Sequence, residues 1–126
     1  MRTSTFGFSL LIITSLITGC NDESQEQMSY QSDIKPLIDN YCAECHTHNG
    51  EGTQKSGFSI DSYDALMKGT KYGPVIVAGD PLSSTLYRMI SGKTDPSIQM
   101  PHGRKPMSNQ EISKIEHWIA QGAKDI

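Results

Sequence analysis

Apolar residues recur at helical spacing in four places along the chain, with polar, glycine-rich stretches between them. Ile34, Leu37, Ile38 and Tyr41 form the first stripe, and Tyr63, Leu66 and Met67 the second. Leu82, Leu86, Met89 and Ile90 form the third, and Ile112, Ile115, Trp118 and Ile119 the fourth. Each stripe predicts a short helix with one buried face. Pro36 fits the first helix only in its opening turn, which sets a start at a Ser32 or Asp33 cap and an end near Cys42. The second is predicted from an Asp61 or Ser62 cap to about Lys68, stopped by Gly69. The third starts with Asp80 as cap and Pro81 in the first helical position, and Gly92 stops it. Ser108 and Glu111 have the spacing of a capping box for the fourth, which Gly122 closes. Its apolar face is expected to cross the first helix.

The remaining segments are polar or extended. Residues 48–57 contain Asn49, Gly50, Gly52 and Gly57 and read as loop, as does the long polar stretch from Ser91 to Met107. Residues 71–78 are apolar enough for a strand, but no partner strand is in view, so an extended segment over a binding pocket is expected. The predicted fold class is all-α, with short helices joined by long loops.

The N-terminal end has a different character. Arg2 precedes a mostly apolar run from Phe6 to Ile17, and Ile17-Thr18-Gly19-Cys20 follows. This is the layout of a secretory signal peptide, and the run is too short to span a bilayer. The Ile-Thr-Gly-Cys ending resembles a bacterial lipobox, which implies that Cys20 is lipidated and becomes the mature N-terminus. Ordinary cleavage nearby, leaving Cys20 as a free thiol, is the alternative. The expected organisation is a signal peptide over 1–19, a polar tether over 20–31 and one folded domain over 32–126.

Composition narrows the partners. The chain has 126 residues and a formal net charge of −3. Removal of residues 1–19 takes away Arg2 and no acid, leaving 10 basic against 14 acidic side chains, or −4. Neither value suits nucleic acid as a partner, and a weak acidic balance points to basic patches on protein partners.

Cys42-Ala43-Glu44-Cys45-His46 carries the chemistry. C-x-x-C-H is the haem attachment signature: two thiols add to the two vinyl groups of one haem, and the following imidazole reaches the iron as proximal ligand. A zinc site would need a second ligand pair, and the third cysteine of the chain, Cys20, is accounted for separately. A redox dithiol belongs in a strand–helix–strand context, which the pattern lacks. Phe58 and Ile60 are expected against the haem rim. His48 lies too close to His46 to reach the other face of the same iron and reads as a loop residue. His117 lies off the apolar stripe of its helix. Arg88, Lys71 and Arg104 are candidates to pair with haem propionates, against a bland reading as solvated surface. Tyr41, Tyr72, Tyr87 and Trp118 are explained by core packing.

From Ile34 onward the chain resembles the planctomycete-type cytochrome c family. The residues that carry the likeness are Ile34-Lys35-Pro36-Leu37, the C-x-x-C-H motif, and Gly79-Asp80-Pro81 with Ser83, Ser84 and Leu86. Met100-Pro101, Glu111-Ile112, Trp118-Ile119 and Gly122-Ala123 complete it. The resemblance implies a cytochrome c-like fold around one covalently attached haem c, with His46 and a methionine as axial ligands. Met100 is the expected distal ligand: it is far along the chain from His46, and Pro101 stiffens the backbone beside it. Met107 and His102 remain as rivals, though Met107 also has the position of a staple residue before the capping box. The resemblance further implies attachment of haem outside the cytoplasm and a lipid-anchored electron carrier facing the periplasm. Such a carrier is not an enzyme and meets redox protein partners in small, transient contacts. Two other readings stand beside it: a haem sensor or peroxidase-like enzyme with a labile sixth position, and a cytochrome subunit of a larger oxidoreductase.

Overall fold

A computed structural model describes residues 26–126, and the expected signal peptide and Cys20 lie outside the described residues. Among the described residues five α-helices succeed one another: α1 (Lys35–His46), α2 (Glu51–Ser56), α3 (Tyr63–Lys68), α4 (Thr85–Ile90) and α5 (Asn109–Ala120). A π-helical turn, Tyr30–Ile34, leads into α1, and a 3₁₀ turn, Pro96–Ile98, lies between α4 and α5. Among the described residues there is no strand, only an isolated bridge between Thr70 and Gly73. The all-α expectation therefore holds. No helix of the described residues is long and apolar enough to cross a membrane.

The packed structure starts earlier than the pattern suggests. Ser29 accepts from Ser32 N–H, and its own N–H donates to Asp33 Oδ2 at 2.9 Å, so these two residues cap the opening turn reciprocally. Tyr30, assigned to the tether by its polar neighbours, is 2 % exposed. Its ring stacks on Trp118 and meets Tyr63 edge-on, with centroids 5.6 and 5.1 Å away. Pro36 falls in the first turn of α1, where its missing N–H has no partner to lose. The helix then continues through the whole motif to His46 instead of ending near Cys42.

Two further expectations shift. Residues 48–57 contain α2, a helix with no apolar residue to reveal it. The third stripe becomes helical only at Thr85: Asp80 caps a separate turn, accepting from Ser83 N–H at 3.0 Å, and Leu82 is left 65 % exposed. Ser84 spends its buried hydroxyl on that turn, accepting from Val77 N–H at 2.8 Å and donating to the Asp80 carbonyl at 2.8 Å. α3, by contrast, has the Ser62 cap and Gly69 stop that the pattern predicts.

The core gathers Ile34, Ile38, Leu66, Ile115, Trp118 and Ile119, all nearly inaccessible. α5 supplies half of these, and its start is fixed by the complete capping box of Ser108 and Glu111. It packs on the Tyr30–Ile34 turn and on α4, so the crossing expected with the first helix falls on the turn that precedes α1. Residues 28–31 meet the last residues of the chain there. Ser29 Oγ donates to the Ile126 carbonyl, Gln31 Nε2 to Asp125 at 2.9 Å, and Met28 N–H to Gln121 at 2.8 Å.

Candidate functional site

A cavity of about 640 Å³ opens between the C-terminal end of α1, α2, the 70–75 segment, α4 and the loop that follows it. That volume lies within the range of cofactor and ligand pockets. Phe58, Val75, Leu86, Met89 and Ile90 give it apolar walls. Cys42, Cys45 and His46 line it from α1, and Met100 lines it from the long loop. The four residues singled out as cofactor and iron ligands thus share one cavity. Cys20, the expected lipid site, lies outside the described residues.

The two thiols differ in environment. Cys45 is exposed, whereas Cys42 is partly covered and its thiol is pushed up to about 11, chiefly by burial, with Arg104 opposing. Cys42 is therefore a protonated thiol at neutral pH. Thiols one helical turn apart on the cavity wall suit two vinyl groups of one macrocycle. Among the described residues no group of three or more His, Cys, Asp or Glu assembles into a metal-binding cluster, so the zinc reading of the cysteines has no further ligands to draw on.

His46 is held by its neighbours in a defined tautomer. Its Nδ1 lies 3.2 Å from the Phe58 carbonyl, which can only accept, so Nδ1 carries the proton and Nε2 keeps its lone pair. Burial pulls its pKa below the ordinary histidine value, with the Phe58 carbonyl working against that, so the ring is a neutral ligand. The Phe58 ring meets the imidazole edge-on at 5.1 Å. Phe58 therefore lies at the cavity as expected, while Ile60 is buried in the core and does not line it. α2 presses closely on this end of α1: a Cβ on Gly52 would stand 2.7 Å from His46 Cε1 and 2.8 Å from the Cys45 carbonyl.

The rivals for the distal position are also placed. Met107 lines the cavity with 5 % exposure, and His102 lines it from the exposed side of the loop. Met89, an apolar-stripe residue of α4, lines it too. Met100 N–H donates to the Met89 carbonyl at 3.2 Å, which fastens the loop to α4 at the residue in question. Of the propionate candidates only Arg104 reaches the cavity, where its Nη1 pairs with Glu44 at 3.1 Å; Lys71 and Arg88 do not line it. Lys55 and Glu51, paired with each other on α2, line it instead, a pair hidden from sequence reasoning because α2 reads as loop.

An apolar cavity, two thiols one helical turn apart and a neutral imidazole with a free Nε2 fit a covalently attached haem, and a thioether and cations stand at the same cavity. Residues 42–102 match the family model described as Planctomycete cytochrome C. No curated protein and no solved structure matches the chain.

Proposed function

Because this chain carries a small cytochrome c domain of the planctomycete type, with the haem c and electron-transfer role that go with it, we propose that it is a one-electron carrier with His46 and Met100 as axial ligands. The convergence of Cys42, Cys45, His46 and Met100 on one apolar cavity carries this reading. Haem c, when bound, supplies a reversible one-electron change at its iron. Cys42 and Cys45 would hold the group through thioethers. His46 presents Nε2 as proximal ligand while the Phe58 carbonyl keeps its ring from turning. Met100 would supply a soft sulfur that favours the reduced form, and with His46 opposite it no position would be left for a substrate.

Cytochrome c domains are usually extracytoplasmic. The lipobox-like ending at Cys20 supports a lipid anchor in the cell envelope, with electrons passed to and from redox proteins on the periplasmic side. The loop placement of His102 and Met107 keeps a second reading in play, a bis-His or labile sixth position suited to a sensor or peroxidase-like role.

Optical spectra of the haem-loaded chain separate these. A low-spin spectrum with the weak far-red sulfur-to-iron band is expected. A low-spin spectrum without that band would assign the distal position to His102, and a high-spin spectrum would overturn the carrier reading. Met100→Ala should lower the potential and admit added ligands to the iron; an unchanged potential and band would move the assignment to Met107.

A further inference from the structure

Tyr41 stands immediately before the first motif cysteine and lines the same cavity. Its hydroxyl donates to the two carboxylate oxygens of Glu111, at 3.1 and 3.0 Å. Glu111 lies in the first turn of α5, and its Oε2 also accepts from the Ser108 N–H and the Ser108 hydroxyl, each at 2.8 Å. Three donors on one carboxylate lower its pKa from the usual carboxylate value, the Ser108 N–H first, then the Ser108 hydroxyl and Tyr41. The group is therefore ionised throughout the neutral range.

Neither the helix cap nor the packing needs this arrangement in full. A capping box works with glutamine at the same position, so the cap needs an acceptor at 111 but no charge. The packing of Tyr41 needs its ring but not its hydroxyl. What remains is a negative charge placed behind the cavity wall, between the helix that bears both thiols and the end of the loop that bears Met100. Of the nearby cations, Arg104 is engaged with Glu44, and Lys105 makes no ion pair with Glu111 and acts on it only as the weakest of its influences.

Building on the haem assignment above, we infer that Glu111 acts as a fixed negative charge that lowers the reduction potential of the site, and that Tyr41 tempers it by donating to it. Both are positioning residues and neither touches the iron. A negative charge stabilises the oxidised, more positive iron. The hydroxyl dipole of Tyr41 offsets part of that field. A unit charge near a redox centre but not in contact with it, in an effective dielectric of about 20 to 80, changes the reduced-to-oxidised ratio about twofold to tenfold. Tenfold corresponds to 59 mV for one electron.

The test is spectroelectrochemical titration of the haem-loaded wild type, Glu111→Gln and Tyr41→Phe. Glu111→Gln should raise the reduced-to-oxidised ratio at the wild-type midpoint by about twofold to tenfold. Tyr41→Phe should move it the other way, by about twofold, with the axial absorption bands unchanged in both. Loosening of the site would shift both variants in one direction, and that result, or no shift in either, overturns the inference. Thermal melting of the loaded Glu111→Gln chain should match wild type, since the cap is kept; a loss as large as that of Ser108→Ala would return Glu111 to a purely capping role. The sulfur-to-iron band of the wild type reads the His/Met assignment separately, so its absence would remove that assignment while leaving the opposite signs of the two shifts to decide the role of the charge.

Discussion

At Gly52 two effects of one methyl group compete. Replacing a helical glycine by alanine ordinarily favours the helix by about 1 kcal/mol. Here the added carbon would meet His46 Cε1 at 2.7 Å and Nδ1 at 2.9 Å, with the Cys45 carbonyl at 2.8 Å. Overpacking of this kind costs about 1–3 kcal/mol, and the backbone carbonyl cannot step aside. Gly52→Ala is therefore expected to destabilise the protein and to turn the imidazole off the Phe58 carbonyl. Loss of the low-spin spectrum together with a lower melting temperature would show it; a more stable protein with an unaltered spectrum would contradict it. The motif cysteines and His46 are legible in the sequence because thioether chemistry demands their spacing. Gly52 is not, since a glycine in a glycine-rich stretch looks the same whether it serves a turn or a close approach.

Legibility at the level of elements follows the same logic. α3 and α5 carry both a cap and an apolar period, and the two signals agree with the structure. α2, Glu-Gly-Thr-Gln-Lys-Ser, has no apolar residue, so nothing in its pattern separates it from loop. At α4 the signals conflict: Asp80-Pro81 has the form of a helix start, but Ser84 is drawn into the preceding turn and the helix waits until Thr85. Where one device carries an element, its removal is measurable. Ser108→Ala deletes the acceptor of the Glu111 N–H and one donor to the Glu111 carboxylate. A loss of about 1 kcal/mol is expected, seen as a fall of about 4–8 °C in melting temperature for a domain of this size. A fall under one degree would mean that packing of Ile115, Trp118 and Ile119 alone fixes the helix.

On the scale of the molecule, the segment ahead of α1 is part of the core. Tyr30 stacks on Trp118, the Trp118 indole N–H donates to the Lys124 carbonyl at 2.9 Å, and Tyr63 OH donates to the Ala123 carbonyl at 2.7 Å. One aromatic cluster thus joins the N-terminal turn, α3, α5 and the C-terminal residues. Tyr30→Ala should cost about 3–5 kcal/mol, as for other buried aromatics, measured as a shift of the denaturant midpoint. A shift below 1 kcal/mol would restore residues 26–31 to the tether. Composition hides this role, because Tyr30 lies among serine, glutamine and aspartate and its partners are distant along the chain.

The pairing of residues 28–31 with residues 121–126 bears on how the molecule opens. With Ser29 bonded to Ile126 and Gln31 to Asp125, the turn ahead of α1 and the last residues are tied to each other beside the core. The stretch from Pro101 to Met107 makes no backbone hydrogen bond to another part of the described chain and is held by the Arg104–Glu44 pair and by its flanks. Partial opening therefore begins in the middle of the sequence, beside Met100, while the aromatic cluster stays closed. Amide hydrogens around residues 101–107 should exchange first, and the sulfur should leave its place in the cavity before the imidazole does.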